Sequence, residues 1–261
     1  MNEHEPFNQK MLFVLSKYLL ELVRLYNLNI YPNKLLLSGQ KGIGKSTLAY
    51  HFINYVLSSD DVNKYDIKKF EISPESSTFK TIINKSNPNL IIIDIIEEKK
   101  TIDINQIREL IINLNKSSFN NKPRFVLIDN IELLNTNSIN ALLKIVEEPS
   151  SNVHFILINN NRKILPTLLS RCINYKINLT NKESIEVADN LLGRKLDTII
   201  NKDLINYYFT PGNIYYLVKF AEQYKYNLLE LDLKTFLKII IKENHYKKDP
   251  FMKYMVFHLI E

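Results

Sequence analysis

Residues 34–47 run Lys34-Leu35-Leu36-Leu37-Ser38-Gly39-Gln40-Lys41-Gly42-Ile43-Gly44-Lys45-Ser46-Thr47, and this stretch decides the fold. Leu35-Leu36-Leu37 is a short apolar run bounded by Pro32 and Gly39, which reads as a buried strand. From Gly39 to Ser46 the chain fits G-x-x-x-x-G-K-[ST] without a mismatch. Behind it, apolar residues at 48, 49, 52, 53, 56 and 57 recur with a helical period. In that context the glycines let backbone N–H groups curl around a phosphate, and a helix beginning at Lys45 adds the favourable end of its dipole. Lys45 can reach the β- and γ-phosphates and Ser46 can ligate Mg²⁺. Three of the five glycines of the chain fall in this loop. The expected ligand is ATP or ADP with Mg²⁺. The residues expected to hold it are Gly39, Gln40, Lys41, Gly42, Ile43, Gly44, Lys45, Ser46 and Thr47.

Working outward, Leu90–Asp94 (LIIID) and Phe125–Asp129 (FVLID) are two more apolar runs ending in an aspartate. Buried parallel strands have this form, with a polar side chain at the carboxyl end where ligands bind. Phe125–Asp129 fits a Walker B strand, which would set Asp129 beside the metal. Residues 11–25 carry an amphipathic helical stripe, and a second stripe follows a possible cap at Asp103. A third, Ile139, Leu142, Leu143 and Val146, is stopped by Pro149. Strand candidates His154–Ile158 and Ile173–Ile177 complete an alternation that predicts an α/β fold, a parallel sheet covered on both faces. From about Leu179 the pattern turns helical, over Ser184–Leu192, Asn201–Phe209 and Asn213–Tyr224. The expected division is an α/β nucleotide-binding domain at 1–178, a small helical lid domain at 179–225, and the start of a helical collar or a C-terminal extension at 226–261.

Composition bounds the function classes. The 261 residues are 45% hydrophobic and 24% charged, ordinary for a globular protein. Cys172, the one cysteine, excludes an internal disulfide and a cysteine-based zinc site. Residues 1–10 are polar, and the longest apolar runs are far too short to span a bilayer, so a cytoplasmic protein without a membrane partner is expected. The net charge of +6 allows contact with nucleic acid without demanding it.

Two later motifs narrow the reading. Asn140-Ala141-Leu142-Leu143-Lys144-Ile145-Val146-Glu147-Glu148-Pro149 and Ser170-Arg171-Cys172 occur in that order after the loop and Phe125–Asp129. Together with Asn87-Pro88-Asn89 and Ile107-Arg108-Glu109-Leu110, they make residues 32–176 resemble the clamp-loader branch of the AAA+ proteins. Within it the chain is most similar to the δ′ type of bacterial DNA polymerase III. The resemblance implies that Asn159 stands at the sensor-1 position, where its amide would feel the γ-phosphate. It also implies that Arg171 is an arginine finger reaching a neighbouring subunit's ATP. Expected partners are γ/τ-like and δ-like subunits in a hetero-oligomer, and through them the sliding clamp and primer-template DNA.

The departures point away from a motor. AAA+ motors usually carry glutamate after the Walker B aspartate; here it is Asn130, a far poorer base. Glu132 is expected to point elsewhere. Tyr215, in Gly212-Asn213-Ile214-Tyr215, stands where motors place the sensor-2 arginine. The four-cysteine zinc module of many relatives is missing, so zinc is not expected. The expected function is a δ′-like clamp-loader subunit with weak or absent ATPase activity. The alternatives are a γ/τ-like motor and, further off, a P-loop kinase.

Overall fold

The computed structural model describes residues 5–96, 99–116, 120–147, 152–205 and 209–260. The chain divides into two compact units, residues 1–178 and 179–261. In the first, five parallel strands form one sheet: β1 (Lys34–Ser38), β2 (Leu90–Ile93), β3 (Arg124–Ile128), β4 (Val153–Asn159) and β5 (Ile173–Lys176). Their order is β2-β3-β4-β1-β5. β4 is therefore central, flanked by β3 and β1. Register aligns the carboxyl ends, with Ser38 opposite Asn159 and Ile93 opposite Ile128. The residues just past those ends, Gly39, Asp94, Asp129 and Asn160, share one edge of the sheet, where open α/β sheets bind ligands.

Helices cover both faces because alternate strand residues face opposite ways. Val126, Ile128, Phe155 and Leu157 pack with Ile107 and Leu110 of α4 (Ile104–Leu114) and with Leu142 and Val146 of α5 (Thr136–Glu147). On the other face, Phe125 lies 6.0 Å from Phe52 of α2 (Lys45–Leu57), and Tyr26 of α1 (Ser16–Asn27) lies 6.0 Å from the same ring. Two short helices, α3 (Ser77–Ile83) and α6 (Pro166–Leu169), complete the unit. The cap expected at Asp103 is present as a reciprocal capping box with Gln106.

The helical stripe at residues 11–25 is helical only from Ser16. Residues before it pair instead with the segment after α2: Leu12 N–H donates to Phe70 O at 3.0 Å and Ile72 N–H to Lys10 O at 2.8 Å. Leu12 and Leu15 are buried all the same, so one apolar pattern is satisfied by two kinds of backbone. The stop at Pro149 lies outside the described residues.

The second unit holds α7 (Asn181–Leu192), α8 (Lys202–Ile205), α9 (Pro211–Tyr224), α10 (Leu233–Lys242), α11 (His245–Lys248) and α12 (Pro250–Ile260). Thr180 with Glu183 forms a capping box for α7, and the Thr210 hydroxyl caps α9. Of the expected helix Asn201–Phe209, residues 206–208 lie outside the described residues. Ala188, Leu204, Leu217, Phe236, Ile240, Met252 and Met255 share one core, so α10 and α12 pack with α7, α8 and α9 rather than apart from them.

Candidate nucleotide-binding site

The loop between β1 and α2 is built as the glycines require. A Cβ on Gly39 would lie 2.4 Å from Ile177 O, so only glycine lets the chain turn off β1 beside the end of β5. Gly44 takes φ +91° as the residue before α2, a left-handed geometry that side chains resist. Between them Gln40 and Lys41 are exposed and Ile43 is buried, anchoring the loop; Gly42 is half-buried. Lys45, Ser46 and Thr47 form the first turn of α2, whose N–H groups are left for an anion.

Lys45 is buried, and its ammonium donates to Gly39 O at 2.9 Å, Gln40 O at 2.6 Å and Asn160 Oδ1 at 2.9 Å. Burial pushes its pKa down to about 8; Asp129 and Glu132 oppose that shift and Lys41 adds to it. The Ser46 hydroxyl donates to the Asp129 carboxylate, joining the loop to β3 across β4. Burial, helped by the charge of Asp94, raises the pKa of Asp129; Ser46, the Asn130 N–H and Lys45 pull the other way. Among the described residues no group of three or more His, Cys, Asp or Glu could hold a metal. The Ser46 hydroxyl and the Asp129 carboxylate would fit Mg²⁺, which takes one or two protein oxygens and completes its shell with phosphates and water.

Asn130 sits in a left-handed conformation (φ 55°), which asparagine tolerates. Its Nδ2 donates to Asp94 Oδ1 at 2.8 Å, and its Oδ1 accepts from Asn160 Nδ2 at 2.9 Å. Glu132 does not point elsewhere. It lies in the 3₁₀ turn Ile131–Leu133 and accepts from Asn160 Nδ2 at 2.9 Å and Asn160 N–H at 3.3 Å. Asn159, expected at the sensor position, turns instead into its own turn: its amide donates to Arg162 O at 3.0 Å and accepts from Arg162 N–H at 3.3 Å. The amide that reaches Lys45 belongs to Asn160.

Arg171 follows α6 and precedes β5. Its guanidinium donates from Nε to Glu147 Oε1 at 3.1 Å, from a terminal nitrogen to the same oxygen at 2.7 Å, and to Thr167 O at 2.8 Å. None of these partners is a loop residue, and the side chain keeps 34% of its surface exposed. Cys172 is half-buried, with its thiol pushed up to about 11 by burial, which leaves it unreactive. In the second unit, Tyr215 stands in α9 with the Lys219 ammonium 5.7 Å from its ring.

The family model described as "DNA polymerase III, delta subunit" matches residues 16–181. The chain belongs to this family. The resemblance read from its motifs, to AAA+ clamp-loader proteins, holds. It is 31% identical over 153 residues to the DNA polymerase III subunit gamma of Buchnera aphidicola subsp. Schizaphis graminum, covering 58% of this chain and 39% of that one. It is 41% identical over 86 residues to the DNA polymerase III subunit delta′ of Buchnera aphidicola subsp. Baizongia pistaciae, covering 33% and 26%. The chain thus spans less than half the length of either relative. A solved gamma subunit-related protein from Thermotoga maritima superposes with a TM-score of 0.48 at 19% identity, over 84% of this chain and 66% of that one. No helix among the described residues is long and apolar enough to cross a membrane.

Proposed function

We propose that this chain is a δ′-like subunit of a DNA polymerase III clamp loader. It binds ATP or ADP with Mg²⁺ and hydrolyses little, and it lends Arg171 to the ATP of a neighbouring subunit. The observation that carries this reading is a division of parts. Lys45, Ser46 and Asp129 are gathered at the carboxyl edge of the sheet, the residue after Asp129 is an amide locked between Asp94 and Asn160, and Arg171 is held elsewhere by Glu147.

Lys45 and the N–H groups at the start of α2 would hold the phosphates, and Ser46 with Asp129 would hold Mg²⁺. The metal, when bound, neutralises phosphate charge. Asn130 has no basic oxygen to draw a proton from water, so the site suits retention of nucleotide better than turnover. A guanidinium brought to a developing phosphate charge is worth several orders of magnitude in rate, and Arg171, once released from Glu147, would supply that group. Partners of this kind are γ/τ-like and δ-like subunits, and through them the sliding clamp and primed DNA. A cytoplasmic location follows from that role.

The test is two variants side by side in a reconstituted clamp loader. Arg171→Ala should leave this chain's nucleotide binding and assembly intact while lowering DNA- and clamp-stimulated hydrolysis by the complex at least tenfold. Lys45→Ala should do much less harm. A crippling Lys45→Ala with a silent Arg171→Ala would overturn the assignment. The similarity to a gamma subunit favours one other reading, a γ/τ-like motor. Vigorous DNA-stimulated ATPase activity of the purified chain would select it.

A further inference from the structure

The Lys45 ammonium has three hydrogens. Gly39 O, Gln40 O and Asn160 Oδ1 accept them. The first two acceptors are backbone of the loop; the third is a side chain that can turn. The other end of its amide is engaged too, since Asn160 Nδ2 donates to Glu132 Oε1 and to Asn130 Oδ1, both at 2.9 Å. Glu132 also takes the Asn160 backbone N–H. Reversing the amide would set its NH₂ against the ammonium and its oxygen against the carboxylate, so the two flanking charges fix its orientation.

Phosphate oxygens at neutral pH only accept hydrogen bonds. For Lys45 to turn a hydrogen to a third phosphate, it has to exchange the Asn160 oxygen. Asn160 itself can touch that phosphate only through Nδ2, the group held by Glu132. The carboxylate is not free to follow, because its 3₁₀ turn is anchored by buried Ile131 and by the left-handed Asn130.

We infer that Glu132 is a positioning residue that competes with the third phosphate of a nucleoside triphosphate for the Asn160 amide, and so sets how far the chain prefers triphosphate to diphosphate. This deepens the nucleotide reading proposed above and rests on it. Glu132→Gln keeps the shape but turns a charge-assisted hydrogen bond into a neutral one about half as strong.

Calorimetry on the full chain, with Mg-ATP and Mg-ADP at pH 6.5, below the lowered pKa of Lys45, tests it. Glu132→Gln should tighten Mg-ATP about tenfold and Mg-ADP less than about threefold. Asn160→Ala should bring the two affinities together. Adding Glu132→Gln to Asn160→Ala should then change neither by more than about twofold, because the carboxylate has lost the group it acts through. Unchanged or weaker Mg-ATP binding by folded Glu132→Gln, equal gains for both nucleotides, or a gain that persists without Asn160 would each overturn the inference. If Glu132→Gln melts early, Asn160→Ala decides alone: lost discrimination supports the inference and retained discrimination refutes it. No binding by wild type and both single variants would refute the nucleotide site itself. Binding by wild type without these shifts refutes only the competition.

Discussion

Lys45 should make nucleotide affinity fall as the pH rises from 7 to 9. Its pKa is lowered from 10.5 to about 8, because burial outweighs the nearby carboxylates Asp129 and Glu132. A phosphate placed against the ammonium supplies opposite charge and restores a high pKa in the complex. The complex therefore keeps a proton that the free chain releases above pH 8, so binding takes up a proton and weakens as the pH rises. The apparent association constant is divided by 1 + 10^(pH − 8). That factor is about 1.1 at pH 7 and about 11 at pH 9, a loss of about tenfold or ~1.4 kcal/mol. Titration calorimetry in buffers of different ionisation enthalpy should give proton uptake near ~0.1 at pH 7 and ~0.9 at pH 9. Lys45→Arg, whose charge is fixed, should bind with a flat profile if it binds. A flat wild-type profile, or an equal slope in Lys45→Arg, would refute the reasoning.

Three other outcomes are expected. Lys45→Ala should lose Mg-nucleotide binding altogether while its melting temperature holds or rises, since a buried ammonium is removed; undiminished affinity in calorimetry would count against a working loop. Gly39→Ala forces a methyl to within 2.4 Å of the Ile177 carbonyl and should cost about 1–3 kcal/mol in denaturant melts, with nucleotide binding falling in parallel. Glu147→Ala removes an ion pair whose side chains are 34% and 50% exposed, so stability should change by less than about 1 kcal/mol; a larger loss would mean that Arg171 is a structural residue first.

Much of the site was legible in the chain because it rests on local rules. Glycines where a Cβ cannot fit, a lysine and a serine opening a helix, and apolar runs that end in aspartate all leave marks at fixed spacings. Those marks placed Lys45, Ser46 and Asp129 together, and they are together. The cap at Asp103 was equally local. Asn130 was visible as a departure, although its bonds to Asp94 and Asn160 were not.

What the chain could not show depends on which way side chains face after the strands end. The sheet order sets β2, β3 and β4 side by side, and only then do Asp94, Asn130, Glu132 and Asn160 become neighbours. The pairs that bond are 28 to 36 positions apart in sequence and share no periodicity. Asn130 and Asn161 adopt left-handed conformations, and the Asn160 amide meets the ammonium. Arg171 was singled out by a motif, but its tie to Glu147 exists only because α5 and the segment before β5 are brought side by side. The sequence by itself determined the fold class and the phosphate-binding loop, because backbone sterics and hydrophobic periodicity act over a few residues. Tertiary structure decided which carboxylate and which amide face the ammonium, because hydrogen-bond partners are chosen by proximity in space.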